Sequence, residues 1–245
     1  MRVNPYETGR YLNEYLLFHY GQVRDVCPFG FVPREILRFH ERIRSECMLP
    51  VRFDAPTRAL DIGCAAGRLT FELGRVVDWT LGIDTSKPLI EAARRMARDH
   101  SVTVQTQESG AQPASRRLIL PSAMRRSSVE FRIGDAQNLT AFSDGFFHVV
   151  AAVNVLCRLR RPRRFLSQLP RLVMPGGQLI VASPFSWLED YTPRREWLSQ
   201  EDVAQLLHPH FRLVRRRDLP FLIREHLRKY QLVVANVLVY TRRRT

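Results

Sequence analysis

The sequence predicts an α/β fold: an open, mostly parallel sheet with helices on both faces. Three observations predict it. From Arg58 onward, short apolar runs alternate with helical stretches. The first run leads into the turn Gly63-Cys64-Ala65-Ala66-Gly67, and the last, residues 231–240, reads as a long antiparallel closing strand. The 245 residues are ample for one large sheet with a buried core.

Taken in order, residues 1–52 read as a helical lid over a main domain at 53–245. Leu12, Tyr15, Leu16 and His19 recur at i, i+3, i+4 and i+7, and Ile36, Leu37, Phe39, His40 and Ile43 suggest a second helix after Pro33. Gly21 and Cys27-Pro28-Phe29-Gly30 break the two. The first strand is 58–62, its helix about 69–76, and the second strand 79–84. The helix over 88–98 starts behind Ser86 as N-cap, with Pro88 in its first turn. Residues 105–128, polar and rich in Ser, Gln, Arg and Pro, read as an excursion from the sheet. Residues 129–133 and 146–153 are the third and fourth strands, and 162–172 a helix cut by Pro175-Gly176-Gly177. Residues 178–183 form the fifth strand, and Phe211 to Val214 begin the sixth.

Apolar residues at 45% and charged residues at 25% exclude wholesale disorder, collagen and a disulfide scaffold. No apolar run is long enough to span a bilayer, and the first 25 residues resemble neither a secretory nor a transit signal. The four cysteines form no C-x-x-C pair, so neither a zinc site nor a disulfide framework is expected; a reducing cytosol and no metal are. The net charge of +14 comes from 38 Lys and Arg residues, all arginine except Lys87 and Lys229. They fall in short clusters such as 158–164, 215–217 and 242–244 and form no single stripe. Solvated surface accounts for that pattern, and an anionic-polymer site stays open.

The chemistry gathers after the first strands. Gly63 and Gly67 let the backbone turn tightly and approach a ligand where a β-carbon would block it. Ala65 stands where a second glycine is usual, tolerable for a small ligand and less comfortable for a pyrophosphate. Asp84 ends the second strand 23 residues after Asp61, the spacing of a carboxylate that binds ribose hydroxyls. A Gly134-Asp135-Ala136 turn follows the third strand. Each acid has a plain alternative as a cap of a turn or helix.

Together these residues resemble the class I S-adenosylmethionine-dependent methyltransferases, over about residues 58–240. The resemblance implies a Rossmann-like seven-stranded sheet and S-adenosylmethionine as cofactor. It implies that the backbone of Gly63, Cys64, Ala65 and Gly67 meets the methionine part, that Asp61 orients the loop and the cofactor's ammonium, and that Asp84 binds the ribose. Asp135 would meet the adenine amino group, with Ala136 and Gln137 beside the ring. Asn154, at the end of the fourth strand, is a candidate for both cofactor binding and catalysis.

The acceptor pocket should draw on the ends of the fourth to sixth strands, because parallel sheets bind ligands beyond their carboxyl ends. No D/N-P-P-Y-type signature follows the fourth strand. The fifth ends in Ser183-Pro184-Phe185-Ser186-Trp187-Leu188-Glu189, an aromatic and acidic loop able to stack a flat ring. This loop, Tyr6-Glu7-Thr8, the run from Glu14 to Gly21, and Pro220 to Glu225 with Arg228-Lys229-Tyr230 resemble the ovothiol-biosynthesis methyltransferases. That resemblance implies N-methylation of the imidazole of a mercaptohistidine. The iron-dependent sulfur-insertion domains of the family's synthase are missing, so a separate sulfur-inserting enzyme is implied as partner. By position, Glu189, Glu7 and Asn154 are candidates to fix the imidazole tautomer and accept its proton. Tyr6, Tyr20, Phe185 and Trp187 are candidates to wall the ring, and Arg224 to hold the substrate carboxylate. The alternatives are another small amino-acid-like or aromatic acceptor, and an RNA-associated protein using the same fold.

Overall fold

The computed structural model describes residues 8–53, 56–110 and 112–244. Helix α1 (Gly9–Tyr20) begins behind Thr8, whose hydroxyl accepts from Tyr11 N, and α2 (Val23–Val26) follows the break at Gly21. The predicted second helix is instead three short pieces: a 3₁₀ turn (Arg34–Arg38), α3 (Phe39–Arg42) and a wider π turn (Ile43–Cys47). In the π turn Met48 N reaches back to Ile43 O, and Phe39, Ile43 and Cys47 all stay on the buried side. Packing against the sheet, not helix propensity, sets that stretch.

The main sheet alternates as the apolar runs predict. Strand β1 (Arg58–Ile62), α4 (Arg68–Leu73), β2 (Trp79–Asp84) and α5 (Lys87–Asp99) come first. A hairpin follows, β3 (Ser101–Ser109) and β4 (Gln112–Ile119), and then β5 (Val129–Ile133) and β6 (Phe147–Val153). Helix α6 (Pro162–Leu172), β7 (Val173–Ser183), α7 (Gln200–Leu207), β8 (Phe211–His226) and β9 (Lys229–Arg242) complete the chain. The seven main strands lie in the order β5-β2-β1-β6-β7-β9-β8. The first five run parallel; β9 inserts antiparallel between β7 and β8 and leaves β8 parallel to the rest. The carboxyl ends of β1, β2, β5, β6, β7 and β8 therefore point the same way.

Strand β6 is buried along almost its whole length, as a central strand covered on both faces should be. Helix α1 has no core of its own. Its Leu16, Leu17 and Tyr20 pack with Ala65, Ala66, Phe71, Leu89 and Ile90, on the α4–α5 face of the sheet.

The polar excursion predicted over 105–128 holds most of an ordered hairpin. Val102, Val104 and Thr106 of β3 alternate into the core while their neighbours face out, and Leu118 answers from β4. The hairpin tip meets the turn between β8 and β9, where Leu227 N donates to Gln107 O at 3.0 Å.

Candidate functional site

The turn after β1 is held from three sides. Gly63 N and Cys64 N both donate to Ile83 O, at 2.8 and 3.0 Å, so the turn is tied to the end of β2. Gly63 has φ +75° and Gly67 φ +88°, the region that favours glycine. A β-carbon on Gly67 would lie 2.5 Å from the Phe131 ring, and one on Gly63 2.8 Å from a Val155 methyl. From above, Tyr20 Oη donates to Ala66 O at 2.6 Å, and His19 Nδ1 accepts from Arg68 N at 3.1 Å.

The two acids predicted beside the turn hold it from below. Asp84 Oδ2 accepts from Ala65 N at 3.0 Å and Oδ1 from Ser86 N at 2.8 Å. Each carboxylate oxygen keeps a further lone pair, which suits a ribose hydroxyl. Asp61 is 2% exposed and accepts from Thr70 Oγ1 at 2.7 Å. Burial lifts the Asp61 carboxyl to about 7, and burial raises Asp84 as well. A cationic group brought alongside would reverse that shift. At the edge of the sheet, Asp135 is exposed and accepts from Gln137 N at 2.8 Å, while Ala136 is buried behind it.

Among the described residues, four other than glycine have positive φ, and three of them follow neighbouring strands on the same side of the sheet. Ala65 (φ +48°) follows β1, Asn154 (φ +57°) follows β6 and Phe185 (φ +51°) follows β7. The fourth, His100, is an ordinary left-handed helix cap. Strain of order 1 kcal/mol or more at such residues persists only where the surroundings enforce it, and it collects at ligand sites. Asn154 N is tied to Ala182 O at 2.8 Å, and its side-chain Oδ1 is buried with no hydrogen-bond partner among the described residues. An orphaned acceptor beside a glycine cradle fits a ligand that brings a donor. The cradle, the two acids and Asn154 thus fit a small nucleoside with a cationic end.

The predicted acceptor residues are more dispersed. Phe185 is half-buried, its N bonded to Ser183 Oγ at 3.0 Å. The Trp187 indole donates to Leu198 O at 3.0 Å, and the ring packs against the main core. The Glu189 side chain is 65% exposed and pairs with Arg194 at 3.1 Å. Tyr20 is buried and its hydroxyl is taken by the cofactor turn. Arg224, 2% exposed, donates through Nη1 to Asp25 O at 2.6 Å and through Nη2 to Glu108 at 2.8 Å; it joins β8, α2 and the β3–β4 hairpin. Tyr6 and Glu7 lie outside the described residues. Burial pushes the Cys64 thiol well up, so it acts as an apolar filler behind the turn.

His19 and Thr70, which shape the turn, carry no signal in the local motif. Burial, with Arg68 alongside, pushes His19 down to about 3, so it stays a neutral acceptor for the Arg68 amide. Glu72, fully buried on α4, is shared by Arg44, Arg68 and Arg75, so part of the arginine excess is internal counter-charge. Among the described residues no group of three His, Cys, Asp or Glu side chains is placed to hold a metal ion, and no helix is long and apolar enough to cross a membrane.

Residues 60–181 match the family described as "Methyltransferase domain". The chain is 25% identical over 142 residues to a ubiquinone biosynthesis O-methyltransferase of Xanthomonas oryzae pv. oryzae (strain PXO99A), covering 55% of this chain and 49% of that protein. It is 29% identical over 126 residues to the same-named protein of Caulobacter sp. (strain K31), covering 51% and 40%. The chain thus spans about half the length of the curated relatives it matches. Among solved structures, a Methanosarcina mazei protein described as a SAM-dependent methyltransferase superposes with TM-score 0.55 at 17% identity, over 78% of this chain and 95% of that one. A protein described as the [4+2]-cyclase SpnF superposes with TM-score 0.56 at 16% identity, over 84% and 81%. The fold is therefore shared by proteins whose descriptions name different chemistries, and function has to be argued from the site.

Proposed function

We propose, for a chain that belongs through residues 60–181 to the class I S-adenosylmethionine-dependent methyltransferases, that the acceptor is a ring nitrogen of a small thiol-bearing histidine. The observation that carries a small-acceptor reading is the trio of left-handed residues, Ala65, Asn154 and Phe185, at the ends of β1, β6 and β7. They mark the cofactor turn and the next two strand ends as one run of constrained backbone, the place at which this reading puts a flat acceptor. The finer choice of mercaptohistidine rests on the resemblance of residues 6–21, 183–189 and 220–230 to the ovothiol methyltransferases.

When bound, S-adenosylmethionine supplies an electrophilic sulfonium methyl group. The protein's own work is alignment and exclusion of water. Gly63 to Gly67 would hold the methionine part, Asp61 would balance its ammonium, and Asp84 would receive the ribose hydroxyls. Asn154 Oδ1, which has no hydrogen-bond partner among the described residues, would accept from an N–H of the cofactor or of the imidazole. Phe185, half-buried against the main core, is the aromatic side chain that follows β7 on this side of the sheet. A neutral imidazole nitrogen attacks through its own lone pair, so no strong base is required before transfer. The proton leaves afterwards, from the other nitrogen, to water; Asn154 Oδ1 would only orient that nitrogen, by accepting a hydrogen bond from its N–H.

A second reading, transfer to an oxygen of a phenol-like ring, is favoured by the names of the curated relatives. One assay separates the two. The purified chain is incubated with methyl-labelled cofactor and, in parallel, mercaptohistidine, histidine, a catechol and RNA. Label on mercaptohistidine alone is the expected result. Label on the catechol with mercaptohistidine untouched overturns the nitrogen assignment, and label on RNA alone overturns the small-acceptor reading.

A further inference from the structure

Three arginines beside the expected adenine contacts Asp135 and Gln137 play no part in this chemistry. Arg160, Arg161 and Arg164, before and within the first turn of α6, line a cleft of about 350 Å³ together with Asp135, Gln137 and Asn138. The three arginines are exposed, and among the described residues no carboxylate forms an ion pair with any of them. Arg161 contributes only its backbone N–H, donated to Gln137 Oε1 at 3.0 Å, which draws the two walls of the cleft together. Several arginines elsewhere are committed: three hold Glu72, two hold Glu108, and Arg171 holds Asp144 and the carbonyls of Leu139 and Phe142.

We propose that this cleft binds an oxyanion of the phosphate class, carried by a small phosphorylated molecule or by a single-stranded nucleic-acid backbone. Three guanidinium groups lining one concavity repel one another, and a multivalent anion relieves that repulsion. Guanidinium forks match phosphate oxygens in pairs, which carboxamides and hydroxyls do not. The single acid in the lining, Asp135, already accepts from Gln137 N. The anion is therefore placed on the α6 side, where the three arginines stand, and Asp135 and Gln137 stay available to the adenine of the cofactor.

The cleft is not the acceptor pocket. Strand β5, which leads to Asp135, lies three strands from β6 in the sheet, roughly 14 Å at ordinary strand spacing. The proposal therefore does not depend on which acceptor is methylated, and it can fail while the methyltransferase reading stands.

The test uses the whole chain without cofactor. Pyrophosphate is titrated by calorimetry, and a labelled single-stranded 12-mer RNA by fluorescence anisotropy at several salt concentrations. The triple variant Arg160→Gln, Arg161→Gln, Arg164→Gln is compared with an equally charged control, Arg52→Gln, Arg126→Gln, Arg195→Gln, taken from exposed positions elsewhere. Binding of one or both probes to the parent, weakened at least about tenfold in the cleft triple and under about threefold in the control, is expected. If RNA is the source, the salt slope falls by about 2 in the cleft triple, three contacts at about 0.7 each. If the source is a small molecule, pyrophosphate binds and RNA gains nothing over it. The single reversal Arg164→Glu reads the same site independently and should weaken binding by about fivefold. Failure of both probes to bind the parent, or equal weakening in the two triples, overturns the proposal in favour of diffuse surface charge.

Discussion

The two halves of the carboxyl-end surface are built on different principles. On the side of β1, β2 and β5, the groups that face a ligand belong to short contiguous stretches, and most of the contacts that place them are local. Asp84 holds Ala65 N and Ser86 N, Asp61 holds Thr70, and Asp135 holds Gln137 N, none more than 19 residues apart in sequence. On the side of β7, β8 and the hairpin, the groups meet across the chain: Arg224 reaches Asp25 O and Glu108, which lie 199 and 116 residues away. The first half is a backbone device and the second a side-chain assembly. The first should therefore respond to substitution through ligand affinity, and the second through stability.

Replacing Asp84 by Ala should break the backbone half most severely. It removes both the support of Ala65 N and the ribose acceptor, and S-adenosylhomocysteine affinity measured by calorimetry should fall by about 100-fold, two charge-assisted hydrogen bonds' worth. Arg224→Met should do the opposite. Breaking a buried pair typically costs about 3–5 kcal/mol, but Glu108 is 22% exposed on its side chain and keeps Arg116, so a loss on the order of 2 kcal/mol in chemical denaturation is expected. Product affinity should move by less than about threefold. If Arg224→Met instead abolished affinity at unchanged stability, the division between the halves would collapse.

The pH dependence of cofactor binding sharpens the same contrast. Burial holds Asp61 up at about 7, above the unfolded carboxylate range, so the folded chain keeps that proton more tightly than the unfolded one. This group's contribution to stability is therefore full at low pH and is lost as pH rises through 7. A bound ammonium favours the ionised form. Cofactor affinity should accordingly rise about tenfold between pH 6 and pH 8, and Asp61→Asn should flatten the rise. The smallest effect belongs to Glu189→Ala. With both partners of its ion pair largely exposed, kcat/KM should change by less than about twofold; a tenfold loss would move the proton acceptor onto that loop.

The same difference explains what could be read without coordinates. The bounds of β1, β2 and β5 match the runs 58–62, 79–84 and 129–133, because a strand between two turns is written in consecutive residues. The turn glycines and the acids beside them were legible for the same reason. The β3–β4 hairpin was not, because its polar outer face hid the alternation of Val102, Val104 and Thr106. Arg224 reads in the sequence as a partner for the substrate's carboxylate, whereas its guanidinium is engaged by Asp25 O and by Glu108, on a hairpin whose path no local pattern announces. His19 was an unremarkable member of a helical stripe until its ring was found against the amide of Arg68.

The position of β9 sets an order of assembly. It fills the slot between β7 and β8, yet it is made after both, so β8 has no neighbour to pair with until the final strand threads into place. The clasp formed by Arg224 and Leu227 against the hairpin must wait for the same event. A nascent chain can thus complete its nucleoside cradle while the far wall is still open, and a cut ahead of residue 229 would unseat two strands instead of one.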